Sequence, residues 1–143
     1  MKKNLTLKQK DRIVRKIYQK YQRSQLDILY LNQHYNYYPQ VNMLSVKETG
    51  SIYKNPDASF LIQLERKQEL EDFIGVVNQV HTHLCKETYF FIENEYLNFY
   101  DVNWWTPYFS RASYYRFKHQ ALDEFIECIM NLLGENEIYN FLK

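Results

Sequence analysis

Glycine, proline and cysteine are scarce in this chain, with three, three and two residues among 143. The glycines stand singly at positions 50, 75 and 134, so no Gly-rich loop exists to cradle a nucleotide phosphate. Three prolines leave long stretches in which a helix need not be broken. Cys85 and Cys128 have no CxxC spacing, which argues against a disulfide framework of the secreted kind. There is no run of about twenty apolar residues to span a bilayer, and the first residues are too charged for a secretory signal. The expectation is a cytoplasmic protein without a membrane partner. No Ser-His-Asp or Cys-His order stands out either, so neither an enzyme nor a cofactor is expected.

What is abundant is aromatic side chain and charge. Fourteen Tyr and nine Phe accompany 18 basic and 17 acidic residues, and the formal net charge is +1. That near-neutrality conceals a polarised chain. Residues 1–23 carry nine bases against Asp11 alone, a local charge of 9 − 1 = +8, so the remaining 120 residues sum to −7. A basic face of this kind suits a phosphate backbone, and equally a solvated helix surface. A membrane-surface helix fits less well, because its apolar side is Val, Ile and Tyr with little Leu or Trp.

Periodicity organises the chain into helices. Val14, Ile17, Tyr18, Tyr21, Ile28 and Leu29 recur at helical spacing and predict a long helix over residues 7 to about 31, capped by Thr6. Between 33 and 56 the periodicity fails and Tyr, Asn, Pro and Gly accumulate, which predicts a long connecting loop. A second helix is expected over 57–84 with Leu61, Leu64, Leu70, Phe73, Ile74, Val77, His81 and Leu84 on its buried side. A third is expected over 86–100, using Tyr89, Ile92, Tyr96 and Phe99. The fold class is all-α. Residues 1–56 form a basic helix plus irregular loop, and 57–143 a helical domain.

The most informative segment is 110–125, Ser-Arg-Ala-Ser-Tyr-Tyr-Arg-Phe-Lys-His-Gln-Ala-Leu-Asp-Glu-Phe. Tyr114, Phe117, Ala121, Leu122 and Phe125 share one helical face. Arg111, Ser113, Tyr115, Arg116, Lys118 and His119 fill the others. Ser110 is placed to cap the first turn, and Gly134 to end the helix. A helix that is cationic at its start and anchored by apolar residues further on suits the DNA major groove.

The pattern resembles the last helix of sigma-factor region 4-like helix-turn-helix domains, and is most similar to phage transcriptional regulators of the ArpU type. The resemblance runs from about 86 to 129. It implies a C-terminal three-helix helix-turn-helix unit at about 86–131, with buried positions at Tyr114, Phe117, Ala121, Leu122 and Phe125. It implies DNA-facing positions at Arg111, Ala112, Tyr115 and Arg116. Such a unit carries a scaffold helix before the recognition helix, and 104–109 (Trp-Trp-Thr-Pro-Tyr-Phe) fills that place as a short, aromatic-packed helix. The segment departs from the usual pattern in having no Gly or Ala and in containing Pro107.

Two further constellations bear on function. His81 and Cys85 are four apart and share a helical face, whereas His83 points elsewhere, so a four-ligand zinc site is not expected. Residues 65–95 carry seven acids against three bases, an acidic face suited to a basic surface on RNA polymerase or another protein. The expected function is DNA-binding transcriptional regulation on double-stranded DNA. Arg111 and Arg116 would read bases or clamp phosphate. Ser113, Lys118 and His119 would position the helix on the backbone, and Tyr115 would stack or meet phosphate. The alternative is a helical interaction module whose helix-turn-helix no longer binds DNA. A homodimer is compatible with both.

Overall fold

The computed structural model describes residues 4–34, 54–98 and 101–143, with no side-chain description for 34 and 54–57. Among these residues there are helices and turns and no strand, so the chain is all-α. Helix α1 spans Leu7–His34 and α2 spans Lys54–His83. Helix α3, Lys86–Ile92, runs on into a π-helical segment Glu93–Leu97. Helix α4 spans Arg111–Leu133 and α5 spans Glu135–Asn140.

The expected boundaries shift at the 33–56 loop. α1 continues to His34, beyond the expected end near 31, and α2 starts at Lys54, ahead of 57. Pro56 sits in the first turn of α2, where the missing N–H has no intrahelical acceptor to lose. The remainder of the expected loop, and Phe99, lie outside the described residues.

Two compact units divide the chain. The first comprises Met1–Tyr21 and Val76–Lys143. Its core is aromatic and β-branched: Ile13, Val14, Ile17 and Tyr18 of α1 are buried, as are Val77 and Val80 of α2 and Leu84 just after it. Phe91, Ile92 and Tyr96 join them, with Tyr114, Ala121, Leu122, Phe125, Ile126 and Ile129 of α4 and Ile138 of α5. The Tyr18 ring sits at the centre, stacked on His81 at 5.8 Å and on Tyr96 at 5.9 Å, and 5.3 Å from Phe125. Its hydroxyl lies 2.7 Å from His81 Nε2. Tyr21 donates to Asn78 Oδ1 at 2.7 Å. Within this unit α1 and α2 therefore run antiparallel.

Helix ends are closed by specific partners. Thr6 Oγ1 accepts from the Gln9 amide and Gln9 Oε1 accepts from the Thr6 amide, a reciprocal capping pair that starts α1 where expected. α3 has no cap from its own side chains. Instead Glu124 of α4 accepts from the Cys85 amide at 2.9 Å and from Thr88 Oγ1 at 2.8 Å, so its negative charge faces the positive end of α3.

The second unit, Gln22–Gly75, holds the last part of α1 and most of α2. Arg66 meets Asp27 at 3.5 Å, and Leu31 and Phe73 are buried. Leu29, Leu61 and Leu64, expected on buried faces, are exposed. The physical reason is geometric: a helix that meets one neighbour has one line of contact, whereas the apolar residues here spread over more than one face.

Candidate nucleic-acid interface

Helix α4 begins as its sequence dictates. Ser110 is the N-cap, its Oγ accepting from the Ser113 amide at 3.2 Å. The stripe Tyr114, Ala121, Leu122 and Phe125 is buried, with Phe117 half-buried beside it. Gly134, at φ +90°, ends the helix by donating its amide to Met130 O. Packing on one side fixes what faces away. Arg111, Ala112, Tyr115, Arg116 and His119 are exposed over the first three turns, Tyr115 to 43%. The Tyr115 ring lies edge-on against Tyr114 at 5.1 Å, and Arg116 donates to Ser113 Oγ at 3.1 Å, which props the guanidinium along the helix surface. Ser113 is half-buried within this capping cluster.

Lys118 departs from its expected place on the phosphate backbone. Its side chain is 12% exposed, and Nζ lies 3.1 Å from Glu95 Oε2 and 3.2 Å from Asp11 Oδ1. Helical angle explains this: Lys118 falls between Tyr114 and Leu122, each four residues away on the inward stripe. Glu95 is 4% exposed, and its charge is matched from several directions. Trp104 Nε1 donates to Oε1 at 2.8 Å, and the Tyr114 hydroxyl donates to Oε2 at 2.5 Å. Asp11 in turn accepts from Tyr96 at 2.7 Å and from Arg15 at 3.2 Å. Burial pushes the Asp11 carboxyl up, but the Tyr96 hydrogen bond with the Lys118 and Arg15 charges outweighs it and leaves the group below its ordinary value. This network ties α1, the π-helical segment and α4 together.

Neither Glu95 nor Asp11 is among the residues that the sequence places at a site. A signal existed at both. Glu95 continues the buried succession Thr88, Phe91 and Ile92, so an acid stands where an apolar residue is expected. Asp11 is the lone acid in a cationic segment, four residues before Arg15.

The segment expected to form the scaffold helix does not form one. Residues 102–108 make consecutive turns, with Trp104 donating to Asp101 O, Thr106 to Asn103 O and Tyr108 to Trp105 O. Asp101 Oδ1 accepts from the Asn103 amide, and Thr106 Oγ1 donates to Asn103 O, both of which favour turns over helix. Pro107 brings no amide. The expected aromatic packing is present: Trp104 lies 5.3 Å from Phe91 and Trp105 stacks on Tyr114 at 4.7 Å.

The cations of α1 divide. Lys10 pairs with Asp123, Lys16 donates to Lys143 O, and Lys20 lies 6.0 Å over the Phe141 ring. Lys8 and Arg12, four apart on one face, are exposed. The acids of 65–95 are similarly split, with Glu95 inside and Glu65, Glu69, Glu71 and Asp72 exposed.

No family model, curated protein or solved structure matches this chain.

Proposed function

We propose that this protein is a DNA-binding transcriptional regulator that lays the exposed side of the first three turns of α4 into the major groove of duplex DNA. The observation that supports it best is the uncovered face formed by Arg111, Ala112, Tyr115, Arg116 and His119 at a properly capped helix start. Arg111 and Arg116 are the specificity contacts, fitted to guanine O6 and N7 or to phosphate. Tyr115 and His119 flank them, and Ser113 holds Arg116. Lys118 acts from the inside, fixing α4 against its neighbours. Lys8 and Arg12 supply sequence-independent attraction to the backbone. The resemblance to sigma region 4-like and ArpU-type proteins agrees with this assignment, the scaffold helix being replaced by the aromatic-packed turns. RNA polymerase is a candidate second partner for the exposed acids of α2.

Selection of bound duplex fragments by the purified protein tests the proposal, first at low and then at near-physiological salt. One motif that survives the higher salt supports it. Arg116→Ala should then cost about 1–3 kcal/mol at that motif. Uniform loss with salt would leave only phosphate attraction, and an unchanged affinity in Arg111→Ala and Arg116→Ala together would remove α4 from the interface.

The second assignment, a helical interaction module without DNA binding, is favoured by one specific observation: turns stand where a helix-turn-helix has its scaffold helix. Absence of DNA binding at either salt selects it.

A further inference from the structure

From 102 to 122 the chain carries no Asp or Glu, and seven of these 21 residues are Trp, Tyr or Phe, against 17% aromatics in the whole chain. Among the cations of this stretch, Arg111 and Arg116 are exposed. The rings are packed together within the first unit. Tyr115 lies 5.1 Å from Tyr114, Tyr114 5.6 Å from Phe91, and Phe91 5.3 Å from Trp104. Trp104 in turn lies 6.5 Å from Tyr108, and the Phe90 ring meets Tyr108 edge-on at 5.4 Å. Tyr108 is thus held by two neighbours and still 62% exposed. A ring fixed by its neighbours and open to water is a stacking surface that loses little freedom when it is used.

The charges and the rings together choose an occupant. Exposed arginines favour a phosphate chain. The acids packed nearby are engaged: Asp101 accepts from the Asn103 amide, and Glu95 is buried against Trp104, Tyr114 and Lys118. Glu87 and Glu93 stand three residues before and after Phe90 and bound the surface on that side. A closed duplex has little use for an exposed ring, because its bases cover one another and present only their edges in the grooves. An unpaired base offers its face, and aromatic rings beside cations are what an unpaired strand binds. We propose that Tyr108 stacks on an unpaired base at the margin of the duplex held by α4, with Arg111 taking the adjoining phosphate. The two residues are three apart in the chain, so their Cα atoms lie within about 11 Å of each other. This rests on the duplex assignment of α4 and names the form of DNA preferred, a duplex opened locally.

The test compares three probes by fluorescence anisotropy at about 50 mM salt, where phosphate attraction still holds a closed duplex. The first is a closed duplex of about 20 base pairs. The second carries a central bubble of about four thymines on each strand. In the third, the bubble positions keep sugar and phosphate but have no base. The thymine bubble should bind at least about tenfold more tightly than the closed duplex. The baseless bubble should return to within about twofold of the closed duplex. Tyr108→Ala should lower the ratio of bubble to closed-duplex affinity at least about fivefold, and Tyr108→Phe, which keeps the ring, should preserve it. The probes without bases give a readout on the native chain that depends on no variant. Equal binding of bubble and closed duplex overturns the proposal and leaves the duplex assignment standing. A bubble preference that survives loss of the bases, or survives Tyr108→Ala, also overturns it. Failure to bind any of the three overturns it together with the duplex assignment.

Discussion

Gly75 stands inside α2 with a helical backbone, and no atom lies within 4 Å of the position a Cβ would take. Glycine there loses more chain entropy on folding than alanine would and gains no packing in return. Gly75→Ala should therefore stabilise the protein by about 0.5–1 kcal/mol, read as a rise of roughly 2–4 °C in Tm. Gly134 is the opposite case: at φ +90° it occupies backbone space that L side chains avoid, so Gly134→Ala should destabilise despite the open space around it. Lys118 and Arg116 make a second contrast. Two residues apart, they point roughly 200° apart around α4, one between Asp11 and Glu95 and one to solvent. Lys118→Met keeps the apolar stem but removes the ammonium paired with buried Glu95, leaving its charge to the Trp104 and Tyr114 hydrogen bonds. It should cost about 3 kcal/mol or more by chemical denaturation, while Arg116→Ala should leave stability within about 0.5 kcal/mol. Equal losses from the two substitutions would contradict the buried network. Charge alone did not separate these residues; their register on the apolar stripe did.

At the scale of the element, α4 was the most legible part of the sequence. Its cap, its buried stripe and its terminating glycine all follow from local chemistry, and each is present. Ser110→Ala should cost about 1 kcal/mol and raise amide exchange selectively at Ser113, whose N–H loses its acceptor. Other elements were less legible because their partners are distant in sequence. The start of α3 depends on Glu124 from another helix. The helix that the resemblance implies over 104–109 is replaced by turns, because the aromatic residues there report packing on Phe91 and Tyr114, not backbone periodicity. Leu29, Leu61 and Leu64 illustrate the same limit, since helical periodicity identifies apolar faces but not whether a neighbour exists to cover each one.

For the first unit as a whole, two groups predict acid lability. The folded His81 ring is held below its ordinary pKa by burial against Tyr18. The unfolded chain thus takes up a proton more readily, and stability is complete above about pH 6.5 and declines as pH falls below it. Asp11 is also lowered, so its contribution is present above its ordinary carboxylate range and is lost only as pH falls further through the folded value. Thermal melts from neutral to acidic pH should show two stages of loss. In His81→Gln the first should vanish and the second persist. A single stage in the native chain, unchanged in the variant, would show that His81 does not titrate with folding.

Composition and periodicity were sufficient to make this an all-α chain with a polarised charge and a capped α4, because helix formation and capping rest on neighbours within about four residues. The tertiary structure alone decided that Lys118 turns inward, that Glu95 is buried among Trp104, Tyr114 and Lys118, and that Leu29, Leu61 and Leu64 are exposed. Those outcomes depend on which residues far apart in the chain meet across a packed interior. A buried charge is tolerated only where such partners arrive to satisfy it, and an apolar face stays exposed where none does.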